Sequence, residues 1–215
     1  MKSSAFTFAM VADQVGSRTG ADRVPAALAS LQPLPGLLGF ERTAGDEIQG
    51  LLGEPAEVVA AVIALSRLGG WRIGIGAGTV DTPLPASTRA ARGPAYLAAR
   101  SAVAAARTSP VQLALRLSAV GPGHYVELAE DAETALWLLR SVLARRSQEG
   151  WELMDLLDQG LTNARAAEHL GISPSAVSQR LARSARAEAR RGAALATRLL
   201  TRLQAEAGAT EGIPT

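Results

Sequence analysis

Cysteine is absent from the 215 residues, and histidine occurs only at His124 and His169. The first absence removes any disulfide framework and any thiolate nucleophile, and it fits a reducing cytoplasm. The second leaves no histidine–cysteine set for zinc. The sequence also has no apolar run near the ~20 residues that a membrane span needs. The one from Phe6 to Ala12 is short and ends at Asp13, so it reads as neither a signal peptide nor a span. A soluble, cytoplasmic protein with no membrane partner is the expectation. No internal repeat is visible.

Net charge is small as well, only +2. Its placement is uneven. Between Leu161 and Glu206 stand arginines 165, 180, 183, 186, 190, 191, 198 and 202 against glutamates 168, 188 and 206. That excess is larger than the charge of the whole chain, so the remainder is slightly acidic. A basic C-terminal part on a near-neutral body suits attraction to a phosphate backbone, although arginine-rich helices taken alone are more often solvated faces. What is present in quantity is apolar residue, 47%, enough for one large domain or two small ones.

The order of elements is legible from periodicity and punctuation. Ala5–Asp13 reads as a buried strand and Arg23–Leu31 as a weak helix stopped by Pro33, Pro35 and Gly36. Phe40–Leu52 reads as two strands around Gly45-Asp46. Pro55 opens a helix over Ala56–Leu68, closed by Gly69-Gly70. Trp71–Val80 is the next strand, whose glycines suit close packing better than a phosphate loop. A helix over Pro94–Arg107 and a strand over Val111–Ser118 follow. This β-α-β-β-α-β succession, with an added helix and strand, predicts an α+β, ferredoxin-like layer with helices on one face of a mostly antiparallel sheet. Gly121-Pro122-Gly123 marks the expected boundary. An all-α part follows, with helices over Asp131–Ser147, Trp151–Leu157, Asn163–Leu170 and Pro174–Leu181 and an arm to about Glu206. The expected domains are thus 1–120 and 124–206, with 207–215 as a frayed tail.

The strongest local signal is TNARAAEHLGISPSAVSQRL. Thr162 can cap one helix, Gly171 can end it in the left-handed conformation, and Ser173-Pro174 can open the next. Ala167, Leu170, Ile172, Val177 and Leu181 are spaced for the apolar contacts of a compact helix-turn-helix. The second helix would lie in the major groove of double-stranded DNA. Ser175, Ala176, Ser178 and Gln179 would face bases, and Gln179 suits a bidentate pair with adenine. Ser173, Arg180, Arg183 and Arg186 would touch phosphates. Two packed helices with no DNA role are the plainer alternative. The stripe Leu195, Leu199, Leu200 and Leu203 either packs on Leu136 and Trp137 of the same chain or joins a second chain in a homodimer.

Taken in order, AMVADQVGSR, TAGDEIQGLL, WRIGIGAGTVDTPLP, RGPAYLAAR and the terminal motif resemble the bacterial SatD family along nearly the whole chain. The C-terminal part is similar to a sigma-like helix-turn-helix. The N-terminal motifs also resemble a shortened class III nucleotidyl cyclase, or palm, domain. That resemblance implies a Mg²⁺ site at Asp13 and Asp46 and a phosphate-binding turn at Val15, Gly16, Ser17 and Arg18. It further implies a base-selecting residue at Arg42 and a charge-stabilising one at Arg100. The asparagine expected four residues before that arginine is Tyr96 here. The reading that results is a DNA-binding transcriptional regulator whose N-terminal part senses a nucleotide or another phosphorylated metabolite. The alternatives are a metal-dependent cyclase or nucleotidyl transferase using Asp13, Asp46 and Arg100, and a protein-interaction module that binds no DNA. Asp13 and Asp46 also have plain explanations as turn residues.

Overall fold

The computed structural model describes residues 6–17, 19–118 and 123–211. Strand β1 (Thr7–Gln14) lies at the centre of a five-stranded sheet of order β2-β3-β1-β4-β5. The chain runs from β1 through α1 (Val24–Leu31), β2 (Leu38–Arg42) and β3 (Glu47–Leu52) to α2 (Pro55–Leu68) and β4 (Trp71–Gly78). It continues through a 3₁₀ turn at Thr88–Ala90 into α3 (Pro94–Ala105) and β5 (Leu113–Leu117). The first four strands are antiparallel to their neighbours, and β5 pairs parallel to β4. The fold class is therefore α+β with a mixed sheet.

Local chemistry explains the elements. Pro55 sits in the first turn of α2, where its missing N–H costs nothing. Glu57 bends back to accept from the backbone N–H groups of Gly53 and Glu54 and from that of Gly36. The β2–β3 turn closes with Thr43 N–H on Glu47 O at 3.0 Å and Glu47 N–H on Ala44 O at 2.9 Å. Gly45 supplies the positive φ of 55° that this turn requires.

Alternation along β1 sorts the core into two layers. Phe8, Met10 and Ala12 point to one face, with Ile48, Ile73, Ile75 and the helices α1 and α2. Ala9 and Val11 point to the other, against Ala95, Tyr96, Ala99 and Val103 of α3. Helices thus cover both faces, not one. The physical reason is the parallel pair β4 and β5. Joining parallel neighbours requires a crossover, and α3 takes the face that α1 and α2 leave bare. It can do so because β4 presents glycines there. A Cβ on Gly74 would lie 2.2 Å from Val103 N, and one on Gly76 would lie 2.1 Å from Ala95 O. The glycines of WRIGIGAG permit backbone-close packing.

The remaining helices are α4 (Gly123–Leu143), α5 (Gln148–Asp158), α6 (Asn163–Leu170), α7 (Pro174–Arg183) and α8 (Arg186–Glu211). Residues 121 and 122 of the expected boundary lie outside the described residues, and on either side of it the apolar core is continuous. Leu136, Leu139 and Leu143 of α4 join Ala196, Leu200 and Leu203 of α8 in the same cluster as Phe8 and Ile48. Leu200 and Leu203 of the α8 stripe are therefore covered by their own chain and Leu199 packs against them, whereas Leu195 is 41% exposed. The helix also runs past 206 to Glu211 with Ala207 buried, because Gln204 donates to Phe6 O (2.9 Å) and Gly53 O (2.7 Å) and fastens it to the sheet. A separate, smaller cluster joins Leu153, Met154 and Leu157 of α5 to Ala166, Ala167 and Val177. No described helix is long and apolar enough to cross a membrane.

The outer edge of β5 is closed by side chains of α4. Glu133 accepts from Leu115 N–H at 2.8 Å, Trp137 Nε1 donates to Leu113 O at 2.7 Å, and Arg140 donates to Gln112 O at 2.8 Å. The bonds to Leu115 N–H and Leu113 O satisfy groups that an open edge strand would offer to another chain, and Gln112 O is shared with Ile73 N–H of β4.

Candidate nucleic-acid interface and ligand-binding edge

The α6–α7 pair is built as its sequence requires. Thr162 Oγ1 accepts from Arg165 N–H at 3.3 Å, and Ser173 Oγ accepts from Ala176 N–H at 3.2 Å. Gly171 ends α6 at φ 63°, ψ 32°. Ile172 N–H donates to Ala167 O at 3.0 Å across the turn. Ala166, Ala167 and Val177 are buried where the helices cross, and Leu170, Ile172 and Leu181 pack around them on α5. Every apolar residue singled out in this segment is used.

The opposite face of α7 is polar and open. Ser175, Ser178, Gln179, Ala182 and Arg183 are exposed, whereas Ala176 and Arg180 are half-buried at its margin. Ser173 and Ser175 share a hydroxyl hydrogen bond of 2.9 Å, and Arg183 reaches back to Gln179 Oε1 at 3.4 Å. Ala182 belongs to the face by helical spacing and was not anticipated. Arg186 is placed differently from its neighbours. It follows Ala185 (φ 46°), begins α8 and bonds Asp158 of α5 at 2.9 Å. It is committed to the fold, whereas the hydrogen bonds of Arg183 stay within its own helix.

The end of α7 is anchored to the body. Arg146 donates from Nε (3.0 Å) and Nη2 (2.7 Å) to Ser184 O, a cation on the negative end of the helix dipole. The same guanidinium stacks on Trp151 at 4.4 Å, and burial pushes its pKa down. Arg67 of α2 lies over the ring at 5.4 Å and makes a bidentate pair with Asp155 at 2.7 and 2.6 Å. These contacts were invisible in the sequence, since their members come from separate helices.

On the sheet, Asp13 sits on the α3 face with Glu47 and Arg72 as its cross-strand partners. Arg72 approaches it at 3.8 Å. Burial raises the Asp13 pKa, Glu47 and Asp46 raise it further, and Arg72 and Arg107 pull the other way. Asp13 and Asp46 are therefore electrostatic neighbours, as expected, and Gln14 N–H bonds Asp46 O at 3.2 Å. Glu47 is a third acidic neighbour. Gln14 is a further residue that sequence reasoning passed over. Its side chain donates to Ala21 O at 2.7 Å and accepts from Arg23 N–H at 2.8 Å, tying the loop after β1.

Other expected members of this site have partners or surroundings of their own. The Val15 N–H is taken by Gly70 O at 2.8 Å, so it is not offered to a phosphate. Arg42 pairs with Asp22. Arg100 is exposed on α3 and is not among the charges acting on Asp13, whereas Arg107 at the end of that helix is. Gly16 has the positive φ of 74° that a tight turn needs, with Ser17 beside it, and Arg18 lies outside the described residues. Among the described residues no three acidic or imidazole side chains are grouped to hold a metal ion. The donors do not by themselves fit a protein-built Mg²⁺ cage, which requires near-octahedral oxygen coordination.

No family model matches this chain, and no curated protein is similar to it in sequence. Among solved structures, one similar chain is a regulator of polyketide synthase expression from Bifidobacterium adolescentis, with 14% identity over 96% of this chain and 82% of that one and a TM-score of 0.27. A likeness this slight assigns neither fold nor function.

Proposed function

We propose that this protein is a DNA-binding transcriptional regulator, with α6–turn–α7 as a helix-turn-helix and α7 as its recognition helix. The observation that carries the reading is the pairing of two capped helices through a left-handed glycine with a polar, open face on α7. Ser175, Ser178 and Gln179 read base edges there, and Gln179 prefers adenine. Ser173, Arg180 and Arg183 hold phosphates, joined by the basic, exposed Arg190 and Arg191 of α8. The protein acts as a homodimer on paired half-sites, through a surface other than Leu200 and Leu203 of α8, which are buried.

The N-terminal part senses a nucleotide or another phosphorylated metabolite. Its antiparallel β2-β3-β1-β4 order supports the cyclase-like, palm reading, as does the meeting of Asp13 and Asp46 at the ends of adjacent strands. Any Mg²⁺ here takes most of its ligands from the phosphates and water that arrive with it. The exposure of Arg100 on α3, with Arg107 acting on Asp13 instead, supports sensing over turnover. The order of motifs that resembles the SatD family agrees with the same pairing of parts.

Selection from a pool of randomised duplexes, with the full chain at low salt and with or without nucleoside triphosphates and Mg²⁺, tests the reading. The expected result is an enriched motif containing adenine positions that Gln179→Ala relaxes. Failure to retain any duplex under either condition refutes it.

A further inference from the structure

Between the sheet body and α5 lies a cleft of about 390 Å³, within the range of small-molecule sites. Its floor is apolar: Ile63 and Ala64 of α2, Trp151 and Met154 of α5, Ala189 and Ala193 of α8. Its rim is charged, with Arg67, Arg146, Arg186 and Arg190 against Asp155 and Asp158. Four cations face two anions, so the cleft is net positive. The two carboxylates are already engaged, Asp155 by Arg67 and Asp158 by Arg186. Arg190 has no hydrogen bond or ion pair among the described residues, and Arg186 Nε is buried without a partner. An unpaired guanidinium group beside an apolar floor is matched by a ligand that is anionic at one end and apolar along its body.

We propose that this cleft binds a small organic anion with a flat apolar body, its acidic group held by Arg186 and Arg190 and its body lying against α2 and α8 beside Trp151, and that occupancy is transmitted to α7. The site is separate from the Asp13 edge of the sheet. Transmission follows from connectivity. Arg186 is two residues beyond Ser184, the residue that ends α7, and Arg146 in the same cleft holds the Ser184 carbonyl. An anion that draws Arg186 from Asp158 loosens α5 from α8 at the point where α7 is anchored. Binding does not depend on the DNA-binding reading, and only the regulatory consequence rests on it.

Calorimetry of the full chain with 2-naphthoate tests the site, with 2-naphthamide as the neutral analogue and inorganic phosphate as charge without an apolar body. One naphthoate per chain is expected, with the amide and phosphate each weaker by on the order of tenfold. Arg190→Ala, an exposed position, weakens naphthoate similarly and leaves the melting temperature unchanged. Ala64→Phe fills the floor and abolishes binding while far-ultraviolet circular dichroism shows the fold kept. Absence of saturable binding to millimolar concentration, or equal binding by both variants, overturns the site. Hydrogen exchange of the α7 amides is the readout of transmission. Protection over 174–183 changes on binding, and unchanged protection with naphthoate bound overturns the coupling whatever the protein does with DNA.

Discussion

Replacing Arg180 and Arg183 together by alanine separates phosphate contact from mere surface charge. Both lie beyond the apolar core of α7, and the hydrogen bonds of Arg183 go only to Gln179 of its own helix. Their loss therefore costs the fold little. Each neutralised phosphate contributes about 0.9 to the slope of log affinity against log salt, so losing two flattens it by about 1.8. Over a fourfold change in salt, that is about 3.5-fold per arginine and about 12-fold for the pair. The double variant is thus weakened about 12-fold more, relative to wild type, at 50 mM than at 200 mM salt. Arg186 supplies the internal control. Its guanidinium is held by Asp158 at 2.9 Å, so Arg186→Ala is expected to lower stability while changing the slope less than either neighbour does. Fluorescence anisotropy with one duplex over a salt series reads the slopes of wild type, the double variant, its two single variants and Arg186→Ala. If the Arg180/Arg183 variant keeps the wild-type slope, or Arg186→Ala changes it by as much, the placement of α7 against the backbone is wrong.

Three further outcomes follow from the body of the fold. Gly76→Ala places a methyl group 2.1 Å from Ala95 O and 2.2 Å from Ala99 N, both rigid backbone, so α3 must lift from β4. A loss of about 3 kcal/mol or more in chemical denaturation is expected, whereas Gly39→Ala, with nothing within 4 Å, is tolerated. Arg140 is buried with its pKa drawn down by burial to about 10, so it remains charged at neutral pH while capping Trp71 O and Gln112 O. Arg140→Leu strands the Trp71 carbonyl, since Gln112 O keeps its bond from Ile73 N–H at 2.9 Å, and costs about 1–3 kcal/mol by the same assay, and a neutral result there removes the capping role. Asp13 has its pKa raised in the fold, mainly by burial and then by Glu47, so the native state holds its proton more tightly than the unfolded chain. Its stabilising contribution is full below the ordinary aspartate value of 3.8 and is lost as pH rises through the native value. Asp13→Asn should raise the melting temperature at neutral pH and flatten its decline above pH 4, as expected where a site is kept at some expense to stability. An unchanged pH profile rejects the carboxylate cluster.

Sequence alone determined the features that depend on near neighbours. Caps at Thr162 and Ser173, the left-handed Gly171 and the Pro55 start are local hydrogen-bonding and dihedral constraints, so they were legible without a fold. A short apolar run likewise marked β1, alternation with glycine marked β4, and helical spacing marked Val177 as inward and Gln179 as outward. The start of α4 was placed eight residues late, since Gly123 to Glu130 lacks a cap signal and is held by tertiary contacts such as Tyr125 Oη to Glu206 O at 2.9 Å.

What required the tertiary structure was every relation between distant segments. Asp13 meets Glu47 and Arg72 only because antiparallel register sets them side by side, and Arg107 joins them only because α3 crosses back over that face. Arg42 is paired with Asp22 and Arg100 stands exposed on α3 for the same kind of reason: a motif fixes a residue's order along the chain and not the direction in which its helix or hairpin carries it. The anchoring of α7 by Arg146, and the cleft beside Trp151, combine α2, α4, α5 and α8. Short-range rules of capping and periodicity operate within a few residues, whereas these sites are made by packing, which acts through space and leaves no period in the chain.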